Sequence, residues 1–381
     1  MTTPDSTAPV TLTHKPKLHA LLVGVGAYER VRPLRGPVGD ARALMQYLQR
    51  LDDFDPHLLL LADQEASKPA VIAGFQTHLS QAQPADTVLF YFAGHGAQEA
   101  ADPALWPTES DGKLECIVCH DAGTTSSWDF LLADKELRFL IGQVSATGAH
   151  VVTIFDCCHS GDNTRAAGLL GELLAGQDVR ERRLTQSHPR RPYEGFFFHE
   201  VLPLSQLQQQ GPSAALPIGP HIQMAACESD ESAVEAGGEG IFTKNLLAVL
   251  EAAHGQVSYR DLHNRVRQYM RFGYEQRPRV YVPDQSDYVE QTGLLSQGFL
   301  NQPIDESTLS ASVTYNAQEG WLLDVGAIHG VGQSDQTIYL HDGANHMTDP
   351  VRIGRIGADY TVLSLADDVK AVLSKAVVYR A

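Results

Sequence analysis

Two short loops of this 381-residue chain carry side chains able to do nucleophilic chemistry, Ala93-Gly94-His95-Gly96 and Asp156-Cys157-Cys158-His159-Ser160-Gly161. Each directly follows an apolar run, Asp86 to Phe92 (DTVLFYF) and His150 to Phe155 (HVVTIF). A cysteine nucleophile needs a nearby base, because only a few per cent of an unperturbed thiol is ionised near neutral pH. A histidine and a cysteine at the ends of two neighbouring strands supply such a pair. Gly94 and Gly96 let the backbone approach a substrate closely, and the N–H groups of Gly96 and Cys158 can donate to a developing oxyanion. Residue types alone leave blander readings open. A buried cysteine is often a small hydrophobe, and a histidine between glycines also suits a turn.

The elements that must position these loops read as an alternation of strand and helix. Leu18 to Val25 (LHALLVGV) is a nearly continuous apolar run, as expected of a strand buried on both faces of a parallel sheet. Asp40 to Leu51 places Ala41, Leu44, Met45, Leu48 and Leu51 at helical spacing. Leu58 to Leu61 reads as a strand, Pro69 to Leu79 and Ala133 to Val144 as helices, and Glu115 to Cys119 as a further strand. Such alternation implies a mostly parallel sheet with helices on both faces, and in open parallel sheets ligands bind beyond the carboxyl ends of the strands. Residues 166–220, rich in Arg, Gln, Gly and Pro, break the rhythm and read as a linker, partly disordered. The rhythm resumes with a strand at His221 to Ala226, helices at Phe242 to Ala253 and Tyr259 to Met270, and a last strand at Arg279 to Val282. Short alternating segments after about residue 301 predict a small β-rich C-terminal domain, with residues 1–17 as a loose tail.

Composition narrows the function. Asp and Glu total 46 against 29 Lys and Arg, a net charge of -17, which argues against a nucleic-acid binder. Five cysteines do not make a disulfide scaffold, and no apolar run reaches the roughly 18 residues that would span a bilayer. A cytoplasmic setting is the expectation. Cys116-x-x-Cys119-His120 has zinc-like spacing but lacks a second spaced pair, so no zinc site is expected.

The two loop motifs together resemble the signature segments of metacaspases and related prokaryotic caspase-like cysteine peptidases, which carry His-Gly after one strand and Asp-[Ser/Cys]-Cys-His-Ser-Gly after the next. The likeness extends over about residues 18–290: Ala20 to Tyr28, Leu34-Arg35-Gly36, Gly39-Asp40-Ala41, Leu132 to Leu140, Cys227 to Ala233 (CESDESA), Gly240 to Thr243 (GIFT) and Gln276-Arg277-Pro278. It implies an α/β caspase-like sandwich over 18–300, with a large-subunit-like part at 18–165 and a small-subunit-like part at 221–300, followed by the β-rich 301–381. It also implies a cysteine endopeptidase in which His95 is the base, Cys158 the nucleophile and Cys157 the variable neighbour. By the same resemblance Asp40 and Asp156 lie at the floor of the substrate pocket, where two carboxylates favour Arg or Lys before the cut bond and repel Asp. Asp40 is also well placed merely to cap the helix that starts there. The substrates implied are proteins or peptides with Arg or Lys at the cleavage site, with no nucleic acid or membrane and room for a regulatory partner on the C-terminal domain.

Two departures from the family pattern matter. Ala93 replaces a pocket serine. Arg165 stands where many calcium-dependent members carry Asp, which weighs against calcium despite the oxygen ligands offered by Glu109, Asp111, Glu115 and Asp121. No organic cofactor is implied. A caspase-fold adaptor without activity and a peptidase selecting acidic residues are the alternatives. Arg180, Arg182, Arg183, Arg190 and Arg191 sit in a stretch expected to be exposed, and an Arg-selecting enzyme is expected to cut itself there.

Overall fold

The computed structural model describes residues 15–28, 30–123, 126–158, 178–186, 188–228, 231–271, 276–283, 293–304, 311–316, 319–326, 331–332, 338–340, 350–357, 360–372 and 379–380. Strands β1 (Lys17–Gly24), β2 (Asp55–Ala62), β3 (Thr87–Ala93), β7 (His150–Asp156), β9 (Ile222–Ala225) and β12 (Arg279–Tyr281) form the central sheet in the order β12-β9-β7-β3-β1-β2. Every pairing is parallel except that of β12 with β9. The mostly parallel sheet expected from the alternation of elements is therefore present.

Side chains alternate across this sheet and feed two separate cores. Leu21 and Val23 of β1, Phe90 and Phe92 of β3 and Phe155 of β7 face one side, against helices α2 (Lys68–Thr77) and α3 (Asp134–Ser145). Ala20, Leu22, Leu89, Tyr91, Val152 and Ile154 face the other side, against α1 (Pro37–Gln49), α4 (Ile241–Ala252) and α5 (Tyr259–Arg271). Each large apolar side chain so buried stabilises the fold by about 1.5–3 kcal/mol. Short antiparallel sheets flank the strand ends. One runs β4 (Gly96–Ala100), β5 (Lys113–Val118), β6 (Leu131–Ala133), and another β11 (Glu239–Gly240), β10 (Val234–Ala236), β8 (Val179–Glu181). The C-terminal part is a five-stranded antiparallel sheet, β15 (Arg352–Ile356), β16 (Thr361–Ser364), β14 (Gly320–Leu323), β13 (Ser312–Asn316) and β17 (Tyr379–Arg380). Val313, Trp321, Leu323, Leu340 and Leu363 fill its core.

The expected linker is the main difference from the sequence reading. Residues 188–220 are not a loose excursion: Tyr193, Phe196, Phe198, Leu202 and Leu207 belong to the core on the α2–α3 side. Nor is the arginine stretch uniformly exposed, since Arg182 and Arg191 are both buried. Arg191 donates from Nε to Glu99 Oε1 (2.5 Å), from Nη1 to Glu136 Oε2 (2.7 Å) and from Nη2 to the Leu131 carbonyl (2.9 Å). Lys68 Nζ meets Glu136 Oε1 at 2.9 Å, so two cations neutralise two buried carboxylates. Polar composition misleads here because these charges are paired inside the fold. Removing one partner of a buried ion pair costs about 3–5 kcal/mol. Arg191→Ala, made in a Cys158→Ala background so that every chain stays whole, should lose that much in urea unfolding; a loss below about 1 kcal/mol, the scale of a surface pair, would show that the cluster does not hold this segment.

Candidate functional site

Strand register brings the two motif loops together. Ala93 of β3 is paired with Asp156 of β7, so His95 and Cys158 each stand two residues past that pair at the carboxyl edge of the sheet. Gly94 N–H reaches the Asp156 carbonyl at 3.5 Å. His159, Ser160, Gly161 and Arg165 lie outside the described residues.

His95 is buried and oriented by main-chain partners. Its backbone N–H donates to the Tyr28 hydroxyl (3.0 Å), which donates to the Val118 carbonyl (3.0 Å), and the Tyr28 ring lies 5.0 Å from the imidazole. His95 Nε2 lies 2.7 Å from the Arg32 carbonyl. A carbonyl only accepts, so Nε2 carries the proton and Nδ1 the lone pair. Nδ1 is buried and has no hydrogen-bond partner among the described residues. Burial pushes the His95 pKa down to about 4, the Arg32 carbonyl working against that and the Arg182 charge with it. The ring is therefore neutral near pH 7 and has a free accepting nitrogen.

Cys158 is fully buried. Its thiol donates to the Ala233 carbonyl (3.3 Å) and accepts from the Ala233 N–H. The Cys227 thiol donates to the carbonyls of Cys157 (3.8 Å) and Glu231 (3.6 Å), and the neighbouring Cys158 thiol together with burial pushes its pKa well up. Cys157 points into the opposite core, where burial raises its pKa as well.

The site holds a segment of its own chain. Strand β8 pairs antiparallel with β10, Glu181 opposite Val234. The next residue, Arg182, donates its N–H to the Ala233 carbonyl (2.9 Å). Its own carbonyl accepts from the N–H groups of Gly96 (3.0 Å) and Cys158 (3.1 Å), the two donors singled out in the sequence. Leu184 N–H then donates to the Gly96 carbonyl at 2.8 Å.

The Arg182 side chain enters a carboxylate pocket. Asp156 continues the face of β7 that looks toward α1 and α4. Asp40 comes from the first turn of α1, and Glu235 from β10. Arg182 Nη1 lies 2.9 Å from Asp156 Oδ2, Nη2 contacts Asp40 Oδ2, and Nη2 lies 3.6 Å from Glu235 Oε2. Asp156 Oδ2 also accepts from the Thr243 hydroxyl (2.6 Å), and Asp40 from the Gly240 N–H (3.0 Å). Glu235 accepts from the backbone N–H groups of Arg35 (2.7 Å) and Gly36 (2.9 Å). Asp40 thus does not cap its own helix, where no side-chain cap bond is made at Gly36. Burial raises its pKa to about 6, with Arg182 opposing and Asp156 adding to the rise. Burial disfavours the Arg182 cation, but Asp156 and Asp40 outweigh it and raise its pKa. The wall needs glycine: a Cβ on Gly240 would lie 2.6 Å from Arg182 Nη1, Asp156 Oδ2 and Asp40 Oδ2.

Sequence reasoning missed Glu235, Thr243, Tyr28 and the occupancy of the pocket by Arg182. Glu235 stands two residues beyond the CESDESA segment whose likeness was noted, so extending that match would have found it. No local signal marks Arg182 among its neighbouring arginines.

Among the described residues no group of three or more His, Cys, Asp or Glu is placed to hold an ion. The acidic residues considered for calcium are scattered: Glu109 binds Lys135 Nζ (2.5 Å), Asp111 accepts from Lys113 N–H (3.1 Å) and Asp121 from Lys68 N–H (3.2 Å). They do not fit a shared cation. Cys116 and Cys119 are buried in the core, and all five cysteines are free. No helix among the described residues is long and apolar enough to cross a membrane.

The chain is similar to several metacaspases. Metacaspase-1 of Yarrowia lipolytica is 24% identical over 296 residues, covering 71% of this chain and 62% of that protein. Metacaspase-1 of Mycosarcoma maydis is 28% identical over 151 residues, 38% of this chain and 36% of that one. Metacaspase-1A of Aspergillus clavatus is 28% identical over 152 residues, 38% and 34%. The chain thus spans between about a third and three-fifths of the length of these relatives. Protein GSU0716 from Geobacter sulfurreducens shares the fold, with a TM-score of 0.51 at 19% identity over 76% of this chain and 100% of that one. The profile of the Caspase domain matches residues 17–289, and the chain belongs to this caspase-like family of cysteine peptidases.

Proposed function

We propose that this protein is an endopeptidase that cuts after Arg or Lys by means of His95 and Cys158, and that the Arg182–Arg183 bond is its first substrate. One observation carries the reading. The Arg182 carbonyl accepts from the N–H groups of Gly96 and Cys158 while its guanidinium lies among Asp40, Asp156 and Glu235. A polarised carbonyl beside a thiol, with the preceding side chain locked by charge, is the arrangement of a bound substrate.

The thiol proton, now shared with the Ala233 carbonyl, moves to His95 Nδ1. The thiolate adds to the Arg182 carbonyl carbon, and Gly96 and Cys158 N–H hold the oxyanion. His95 returns the proton to the Arg183 nitrogen as the C–N bond breaks, and water hydrolyses the thioester. Three buried carboxylates repel an acidic side chain and accept a cationic one, so selection of Asp is disfavoured. A non-catalytic adaptor would need neither the free Nδ1 nor the carbonyl cradle.

Wild-type protein should show fragments ending at Arg182 by intact-mass spectrometry. Cys158→Ala should show none, while Cys157→Ala, altered on the other face of the sheet, should still cut. Loss of a hydrolase nucleophile can cost about a millionfold in turnover, so persistent fragments in Cys158→Ala would refute the assignment.

Arg182→Ala should empty the pocket and hydrolyse Arg and Lys reporter peptides faster than wild type, and leave Asp reporters uncut. Adding Asp156→Asn to Arg182→Ala should lower kcat/KM for the Arg reporter by about 30-fold or more, since unpairing a buried charge costs roughly 2–5 kcal/mol. An unchanged kcat/KM would exclude Asp156 as the partner of the substrate.

The pH dependence follows from Asp40, whose pKa is about 6 with a guanidinium present. A cation favours the ionised carboxylate, so the empty pocket holds the Asp40 proton more tightly than the occupied one. Affinity for Arg is therefore full well above pH 6, falls as pH drops toward about 6, and levels off below it. In Arg182→Ala, kcat/KM reports the free enzyme and should show an acid limb at or above that value that Asp40→Asn removes. A limb that survives Asp40→Asn unchanged would assign it elsewhere.

A further inference from the structure

Cutting the Arg182–Arg183 bond, in the peptidase reading on which this inference rests, leaves both new ends held in place. On the acyl side, β8 stays paired with β10, and Arg182 keeps its bond to Ala233 and its carboxylate partners. On the amine side, residues 183–186 and His188 follow the edge of β4. Leu184 N–H donates to the Gly96 carbonyl (2.8 Å), His188 N–H to the Gln98 carbonyl (3.2 Å), and Ala100 N–H to the His188 carbonyl (3.0 Å). Arg183 and His188 bridge Gly96 and Glu99 in parallel. Further on, buried Arg191 and the core residues Tyr193, Phe196 and Phe198 anchor the same segment. Of these contacts only the Gly96–Arg183 bridge uses a group of the bond that would be cut, the Arg182 carbonyl, and its other half, Leu184 N–H to the Gly96 carbonyl, lies beyond that bond.

The leaving amine therefore does not diffuse away from the thioester. We propose that the site rejoins the bond it cuts, acting as a peptide ligase on its own Arg182–Arg183 junction so that cut and uncut chains interconvert. In the rejoining step the Arg183 amine gives a proton to His95 Nδ1 and its nitrogen adds to the thioester carbonyl of Arg182. The C–S bond then breaks and the Cys158 thiolate is restored. Water attacking the same thioester gives the Arg182 carboxylate and the free thiol, and acylation from that carboxylate expels water again. No oxidant or further reactant enters. Well-oriented intramolecular reactants reach effective concentrations of roughly 10⁵–10⁸ M, so a tethered amine competes with water.

The test uses the full-length chain and intact-mass spectrometry after denaturing quench. Hydrolysis releases a proton above the α-amino pKa of about 8, so alkaline incubation enriches the cut form. Done in heavy-oxygen water, it labels the new Arg182 carboxylate. On return to neutral pH, single chains should reappear carrying heavy oxygen in the peptide that spans Arg182 and Arg183, and the cut-to-uncut ratio should match the one approached from uncut protein. Leu184→Pro removes the N–H that holds the amine side to Gly96 and should lower the rejoined fraction several-fold. Cut protein that never regains labelled single chains, while Arg182→Ala still hydrolyses an Arg reporter, overturns the ligase and leaves the peptidase standing. A chain that stays uncut while Arg182→Ala is active overturns both the ligase and the self-cleavage at Arg182, and leaves only the peptidase activity on other substrates standing. Absence of both cutting and reporter hydrolysis overturns both.

Discussion

The ion cluster around Arg182 is the constraint on which the site depends. Asp40, Asp156 and Glu235 come from a helix, a central strand and a flanking strand, and the cation comes from a fourth segment. Burial disfavours the ionised form of Asp40, and the neighbouring Asp156 charge adds to it, so the Asp40 pKa is raised. Backbone N–H groups of Arg35, Gly36 and Gly240 and the Thr243 hydroxyl relieve part of that cost. The guanidinium relieves more. Burying three carboxylates together is unfavourable without a cation, and the Arg182 guanidinium supplies one.

The rest of the site follows from two placements. Asp156 shares a sheet face with Ile154, so it meets the amino-terminal end of α4, where it accepts from the Thr243 N–H and a carboxylate is favoured. The glycine wall at Gly36 and Gly240 leaves the width that a planar guanidinium requires, because a methyl group at either position would reach within 2.7 Å of an Arg182 nitrogen. Among the described residues the His95 ring is held by a main-chain carbonyl rather than by an acidic side chain. The Arg32 carbonyl selects its tautomer, and burial keeps it neutral so that it can accept a proton.

The same buried ion-pair logic recurs beyond Arg182, where Arg191, Lys68, Glu99 and Glu136 tie the following segment to α2 and α3. The chain is thus clamped on both sides of one peptide bond by charges that polar surroundings would screen. Residues 178–186 and 188–220 are as much part of the folded body as the strands they join, with aromatic side chains in the core and arginines buried in carboxylate clusters.

Apolar runs at Leu18 to Val25, Asp86 to Phe92 and His150 to Phe155, with helical spacing between them, determined the parallel α/β sheet, because periodicity and burial are local properties of the chain. The paired His-Gly and Cys-His-Ser-Gly loops, with the wider likeness over about residues 18–290, determined the family and pointed to His95, Cys158 and Asp156, and the Gly39-Asp40-Ala41 match pointed to Asp40. Which strand edges would be covered was not legible, since the short β8 pairs with β10 more than fifty residues further on, and the open edge of β4 is met only by Arg183 and His188, more than eighty residues away. Nor was the fate of the arginines. Arg180, Arg182, Arg183, Arg190 and Arg191 look alike as letters, and whether a guanidinium is solvated or buried depends on carboxylates that lie up to 142 residues away, as Asp40 does from Arg182. Tertiary structure alone decided that Arg182 fills the pocket and that its carbonyl meets the two donors, because only folding brings those charges and dipoles to one point.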